Sequence, residues 1–247
     1  MKIKVISCEA LAREVYLASA ASPHVIDTHL LAFGLHNTPD ELRAAIQSAI
    51  DATEGKGYDA IILGYGLCSR GTAEIRAGSI PIAMIRMHDC ITAFLGSRAR
   101  YSAEFGANPG TYYYSPGWIE RKEGDMEQGF SDIHDQHAAE RYKDYVEKYG
   151  EENAKFLIEQ EQGWYDHYSR AVFINMGFGA VDDYRRFTQD LAADRGWEYS
   201  EAEGDMSLVR RLIDGDWDSE DILVVRPGQT IAESFDPLIL KAIDRGA

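Results

Sequence analysis

Three cysteines are the residues whose type and placement in this sequence suit chemistry. Cys8 follows the run K-I-K-V-I-S, Cys68 follows D-A-I-I-L-G-Y-G-L, and Cys90 follows I-P-I-A-M-I-R-M-H-D. Thiolates are strong ligands for zinc and for iron–sulfur clusters. Three protein thiolates leave one coordination position open, which a catalytic metal requires, whereas structural zinc sites close all four positions.

Each cysteine lies just past the end of a stretch that is predicted to be a β-strand. The three stretches are short apolar runs, and the run before Cys68 enters a glycine-rich turn. In an open parallel sheet, the carboxyl ends of the strands face a common crevice, and ligands bind there. The sequence therefore predicts that Cys8, Cys68 and Cys90 meet at one metal site.

Two metals compete for this predicted site. One is a 4Fe-4S cluster whose open iron acts as a Lewis acid, and the other is zinc, with His88 as a further ligand. Zinc needs its sulfurs at ~2.3 Å from one ion, whereas a cluster tolerates a wider triangle and suits three separate strand ends. The cluster is the predicted cofactor. Zinc, simple packing of small buried thiols, and redox or nucleophilic thiols stay open as alternatives.

The elements around the cysteines follow the order of a Rossmann-like parallel α/β sheet. Residues 1–105 alternate as β-α-β-α-β-α-β, with a short helix expected near residues 72–77. Residues 106–169 are predicted to form an aromatic loop and a helical insertion. Residues 170–247 alternate again as a second α/β half, with a helix near residues 181–195, a strand at residues 222–225 and a last helix near residues 235–243. Whether the two halves share one sheet or form two lobes stays open.

Other side chains beside the predicted strand ends suit acid–base chemistry and substrate binding. Glu9 and His88 are the candidate catalytic groups, because each adjoins a cysteine turn. The other candidates would bind substrate. Ser69 and Arg70 are expected at the start of a helix, where backbone N–H groups and a guanidinium favour an anion. The remaining candidates for substrate binding are Tyr65 in the glycine turn, Tyr113 and Trp118 in the aromatic loop, and Asn175 at a later strand end.

The overall composition excludes several classes of protein. The chain carries 41 acidic against 25 basic residues, and a formal charge of −16 disfavours nucleic acid and anionic membranes as partners. We find neither a signal segment nor an apolar run long enough for a bilayer. An odd number of cysteines in such a chain predicts reduced thiols and a cytoplasmic location.

Three segments carry a resemblance to a known family. The segments G-Y-G-L-C-S-R-G, H-D-C-I-T-A-F-L-G-S and P-G-T-Y-Y-Y-S-P-G-W occur in this order. They resemble the uncharacterised bacterial and archaeal family called domain of unknown function 1638, over most of the chain. Some members occur in organisms that use corrinoid-dependent methyl transfer, so the resemblance implies anaerobic one-carbon or metal chemistry. It assigns no role to any residue.

These observations together predict a metalloenzyme of small-molecule metabolism with an open three-cysteine site. Two alternatives stay open: a zinc-dependent enzyme that transfers a methyl group to a thiol, and a non-catalytic protein that binds a metal, a cluster or a corrinoid. The predicted partner is a small-molecule substrate. A corrinoid protein and a second copy of the chain in a homodimer are further candidates.

Overall fold

The computed structural model describes residues 1–121, 138–162 and 167–244. The chain divides into two compact units, residues 1–103 with 203–247, and residues 104–202. The last predicted segment, 170–247, is therefore shared between the two units. The predicted insertion over residues 106–169 belongs to the second unit, and parts of it lie outside the described residues.

The first unit is organised around a mostly parallel sheet. Its strands are β1 (Lys2–Cys8), β2 (Val25–Leu31), β3 (Ala60–Gly64), β4 (Ile82–Ile85) and β8 (Ile222–Val225), in the spatial order β2-β1-β3-β4-β8. The first four run parallel to one another, and β8 is antiparallel to β4. β3 and β4 are buried along their whole length, as expected for central parallel strands with continuous apolar sequences. The predicted α/β fold is confirmed.

Helices surround this sheet and connect its strands. They are α1 (Ala12–Ala21), α2 (Pro39–Asp51), α3 (Ile91–Leu95) and α9 (Ser207–Ile213), and α4 (Arg98–Ala107) leads into the second unit. α2 begins with Pro39 at its first turn, followed by Asp40 and Glu41. Those residues suit a helix start because Pro lacks the N–H that would be unpaired there, and carboxylates favour the positive end of the helix dipole.

Two predicted helices are wrong, because both segments form their backbone hydrogen bonds with β9 instead of within a helix. A hairpin of β9 (Gln229–Glu233) and β10 (Leu240–Asp244) stands where a helix was expected near residues 235–243. Residues 72–77 form turns and an extended segment that lies along β9. The Glu74 N–H donates to Ile231 O (2.8 Å), and the Ala77 N–H donates to Gln229 O (3.0 Å). These bonds replace the bonds within a helix.

The second unit has its own three-stranded sheet and apolar core. The strands are β5 (Thr111–Tyr114), β6 (Arg170–Asn175) and β7 (Glu198–Glu203), and the helices are α5 (Pro116–Glu120), α6 (Ala138–Tyr149), α7 (Glu151–Gln162) and α8 (Val181–Arg195). Tyr114, Phe173 and Leu191 are buried in one cluster between the sheet and α8. None of the described helices has both the length and the apolar character needed to cross a membrane.

Candidate functional site

The three cysteines follow three neighbouring strands of the first unit. Cys8 is the last residue of β1, Cys68 lies in the loop after β3, and Cys90 directly precedes α3 in the turn after β4. Because β1, β3 and β4 are adjacent and parallel, their carboxyl ends lie at one edge of the sheet. Cys8 is buried, whereas Cys68 and Cys90 are half-buried. The three cysteines therefore lie at the ends of strands, as the sequence predicted, and these strands are adjacent in the sheet.

The Cys68 loop is held directly against the turn that carries Cys90. The Leu67 N–H donates to Met87 O (2.8 Å), and the Cys68 N–H donates to His88 O (2.9 Å). Gly66 is buried at this crossing, where a Cβ atom would lie 2.7 Å from Met87 O. Only glycine fits such an approach, because the neighbouring atoms belong to a backbone that cannot rotate away.

Two further side chains hold the same loop from the outer side. The hydroxyl of Thr72, which is fully buried, donates to Gly66 O (2.8 Å). Arg43 on α2 donates from Nε to Ala73 O (2.8 Å) and from Nη2 to Arg70 O (3.1 Å). The loop therefore has a defined shape although it contains no regular secondary structure. Sequence reasoning did not single out Thr72 or Arg43.

The backbone at Cys68 is strained. Cys68, Ser69 and Arg70 have φ angles of 46°, 53° and 70°, in the left-handed region. This conformation costs about 1–2 kcal/mol for each non-glycine residue, and such strain concentrates at functional sites. No helix begins at Ser69, so the helix terminus that was expected to bind an anion there is absent. Arg70 instead forms an ion pair with Glu233 (2.8 Å).

We expect the Ser69→Gly variant to be more stable than the natural chain by about 0.5–1 kcal/mol. Glycine adopts the left-handed conformation without the Cβ penalty, and its greater freedom in the unfolded state offsets part of the gain. Urea denaturation at an unchanged m-value measures the difference. Ser102→Gly is the matched control, because Ser102 is exposed in α4 and the change there should lower stability by about 0.5 kcal/mol. Equal effects of the two changes would contradict strain at Ser69.

Burial and neighbouring negative charge raise the pKa values of the three thiols. Burial raises the pKa of Cys8 to about 11 and that of Cys68 to about 12. Burial also raises the pKa of Cys90 well above its ordinary value, and negative charge at Asp89, Cys68 and Cys8 raises it further. The three sulfurs are thus near enough for one thiolate to disfavour the next. Without a bound cation, all three thiols are protonated at neutral pH.

Tyr65 brings a buried hydroxyl to the same place. The residue is only 3% exposed, and its hydroxyl makes no hydrogen bond of normal geometry among the described residues. The hydroxyl lies next to the Cys8 thiol and lowers the pKa of that thiol. Burial and then the charges of Cys8 and Cys68 raise the pKa of Tyr65. A buried polar group needs a partner, and the Cys8 thiol is the group that lies beside this hydroxyl.

Asp89 is a site residue that sequence reasoning missed. Its Oδ1 accepts the Ile91 N–H (3.0 Å) at the start of α3, and its Oδ2 accepts the Tyr101 hydroxyl (2.9 Å) from α4. Burial raises the pKa of Asp89, while these two hydrogen bonds lower it. Asp89 therefore positions the turn of Cys90. An aspartate that accepts the N–H two residues later forms an Asx turn, and its position two residues before a helix could have identified this first contact.

The two candidate acid–base groups occupy different settings. The Glu9 Oε2 atom accepts the Phe33 N–H (3.0 Å), and the charge of Glu9 raises the pKa of Cys8. Glu9 is thus tied to the loop that follows β2. The side chain of His88 is exposed, while its carbonyl oxygen holds the Cys68 loop. His88 is the better placed of the two to exchange protons with solvent or substrate.

The remaining predicted substrate-binding residues belong to the second unit. Trp118 packs edge-on against Tyr114, with their ring centroids 5.4 Å apart, in the core of that unit. Tyr113 is buried in β5, and Asn175 at the end of β6 donates to Glu201 Oε1 (2.9 Å). The predicted part of these residues in the cysteine site stays a prediction.

The described residues include no group of three histidine, cysteine, aspartate or glutamate side chains arranged to hold a metal ion. A family model described as protein of unknown function (DUF1638) matches residues 30–213. The chain belongs to this family. The matched stretch contains Cys68 and Cys90, and Cys8 precedes it. No curated protein and no solved structure matches the chain.

Proposed function

We propose that this DUF1638 protein is a cytoplasmic metalloenzyme of small-molecule metabolism in which Cys8, Cys68 and Cys90 hold a 4Fe-4S cluster with one open position. The observation that carries the proposal is the position of three buried or half-buried cysteines at the carboxyl ends of three adjacent strands. The second support for the proposal is the buried Tyr65 hydroxyl, which lies beside Cys8 and makes no hydrogen bond of normal geometry among the described residues.

The arrangement of the thiols favours a cluster over a single zinc ion. Sulfurs bound to one zinc ion at ~2.3 Å lie about 3.8 Å from one another in tetrahedral geometry. Cys8, Cys68 and Cys90 come from three separate strand ends. A cluster spreads its ligands over a wider triangle.

The side chains around the thiols have separate proposed roles. A cluster with an open iron supplies a Lewis acid for a hydroxyl, carbonyl or sulfur group of the substrate. Tyr65 donates a hydrogen bond to the group that is bound beside Cys8. His88, with its exposed imidazole, moves a proton to or from the substrate. Asp89 holds the Cys90 turn through Ile91 and Tyr101 and is a positioning residue.

The metal content of protein purified without oxygen tests this proposal. We expect about four iron and four sulfide per chain, since a 4Fe-4S cluster contains both in that number. One zinc and no iron would replace the cluster with the zinc site of a thiol methyltransferase. Bound cobalt would favour a corrinoid-binding protein. Protein that holds no metal and whose three thiols are all freely alkylated would contradict every form of the metal site.

A binding protein and an enzyme are distinguished by what the loaded protein does with a small molecule. An open iron that serves a reaction changes its electronic spectrum when a hydroxy acid, carbonyl compound or thiolated base occupies it. A carrier delivers its intact cluster or corrinoid to an acceptor protein and leaves those compounds unbound. Spectral titration of the loaded chain with each compound class separates the two functions. Cluster transfer to an apo-acceptor without any such spectral change would overturn the enzymatic part of the proposal.

A further inference from the structure

β2 forms one edge of the five-stranded sheet. It pairs with β1 on one side, and no strand of the described residues pairs with its other side. Its seven residues, V-I-D-T-H-L-L, contain no proline, and its pairing with β1 continues through all seven residues without a bulge. Prolines and bulges are two of the devices that protect edge strands in monomeric proteins, because an open edge pairs with other strands. The β2 edge has the sequence of a strand that accepts a partner.

The backbone N–H and C=O groups of β2 point alternately toward β1 and away from the sheet. The Val25 N–H donates to Met1 O (3.0 Å), so the backbone groups of Val25 face β1. In a β-strand, the N–H and C=O groups of alternate residues point the same way. The N–H and C=O groups of Ile26, Thr28 and Leu30 therefore face outward. Thr28 is the middle residue of the strand, and it can form the hydrogen-bonded pair at the centre of an antiparallel ladder.

The sequence of β2 is complementary to itself when it is reversed about Thr28. Antiparallel pairing of two copies centred there places Asp27 opposite His29, and Ile26 opposite Leu30. Asp27 and His29 would form a non-hydrogen-bonded pair, in which side chains approach most closely. The Tyr58 hydroxyl donates to Asp27 Oδ2 (2.7 Å) and orients this carboxylate, while His29 is exposed.

We propose that two copies of this chain pair through β2, antiparallel and about a twofold axis at Thr28, so that one continuous sheet crosses the dimer. Exposed apolar side chains around the edge support self-association. Val25 is 62% exposed, and Tyr16 and Leu17 on α1 are 53% and 50% exposed. α1 packs on β1 and β2, so these side chains belong to the same part of the unit as the edge strand. A twofold interface uses the same patch on both copies.

The Thr28→Pro variant tests the strand pairing. Proline removes an outward N–H and leaves the hydrogen bonds to β1 intact, and edge strands tolerate it. Sedimentation velocity of the full chain, from below 1 µM to about 100 µM, should show a dimer for the natural sequence. The variant should dissociate with a Kd about 30-fold higher, because the dimer loses its two central hydrogen bonds, one from each copy. A natural chain that stays monomeric throughout would overturn the proposal.

Substitutions at His29 test the register without changing the backbone. His29→Glu places a carboxylate opposite Asp27 of the second copy and should raise the Kd about tenfold, whereas His29→Lys should lower it several-fold. Lys241→Gln is the control, since it makes a similar change in net charge at an exposed position of β10. A dimer that is indifferent to both His29 changes and to Thr28→Pro uses another surface. The metal content enters none of these measurements.

Discussion

The Gly66→Ala variant is expected to lose about 3–5 kcal/mol of its free energy of unfolding and to release the Cys68 loop. The added Cβ would lie 2.7 Å from Met87 O and 3.1 Å from the carbonyl carbon of His88. Overpacking of this kind costs about 1–3 kcal/mol. The added Cβ would also break the hydrogen bonds that the Leu67 and Cys68 N–H groups donate to Met87 O and His88 O, and each of these bonds is worth about 1 kcal/mol. The two backbones cannot stay at their present distance.

Two measurements test this prediction: one gives the stability of the variant, and the other gives the accessibility of its thiols. Urea denaturation gives the free energy of unfolding, and alkylation kinetics give the accessibility of Cys68 and Cys90. We expect both thiols to react faster in Gly66→Ala. Gly106→Ala is the matched control, because a Cβ there would meet no atom within 4 Å. That control should change stability by less than about 1 kcal/mol.

The same two measurements can also contradict the inference that Gly66 fixes the Cys68 loop against the Cys90 turn. If Gly66→Ala keeps the stability and the thiol reactivity of the natural chain, then the loop does not need its close approach to the Cys90 turn. In that case Cys68 would not be fixed relative to Cys90. A preorganised three-thiol site would then lose its geometric basis, since ligand positions must be set before the metal arrives.

The parallel sheet and its strand ends could be predicted from the sequence because they depend on local patterns. The runs A-I-I-L-G and I-A-M-I are apolar throughout, and the strands they form are buried on both faces. α8 spans Val181–Arg195 and β8 spans Ile222–Val225, where the sequence predicted a helix and a strand. Each of these elements is specified by residues within a single window of the sequence.

The shape of the Cys68 loop could not be predicted, because it depends on residues far away in the sequence. Residues 72–77 carry a helical composition, but their backbone pairs with β9, about 150 residues later. The left-handed stretch Cys68–Arg70 contains neither glycine nor asparagine, the residues that would indicate this conformation in a sequence. Arg70 was expected to bind an anion, and its partner Glu233 also lies on β9. Local sequence patterns do not contain such contacts.

Asp89 shows where the limit of sequence reasoning lies at this site. Its bond to the Ile91 N–H is local and follows from an aspartate placed just before a helix. Its bond to Tyr101 depends on how α4 packs, and no pattern near residue 89 specifies it. Sequence reasoning could therefore find the three thiols, which are distinctive residue types. It could not find the groups that hold them in place.

Single Cys→Ala variants are expected to lose nearly all bound iron while they keep the fold. A cluster that loses one of three thiolate ligands is no longer held, so the iron content should fall from about four to below about one per chain. Each change removes one sulfur from a small side chain and should alter the stability of the metal-free chain by about 1 kcal/mol. Iron analysis and circular dichroism of Cys8→Ala, Cys68→Ala and Cys90→Ala measure the two quantities.

Tyr65→Phe is the matched variant that separates loss of a ligand from damage to the site. It removes a buried hydroxyl beside Cys8 but no thiolate. The hydroxyl has no hydrogen bond of normal geometry, so its removal should leave the metal-free chain as stable or up to about 1 kcal/mol more stable. The iron content should stay near four per chain.

Any single Cys→Ala variant that retains its full iron content would show that its thiol is not a ligand. Loss of iron from Tyr65→Phe to the same extent as from the Cys→Ala variants would mean that packing around the site, and not three specific sulfurs, retains the metal.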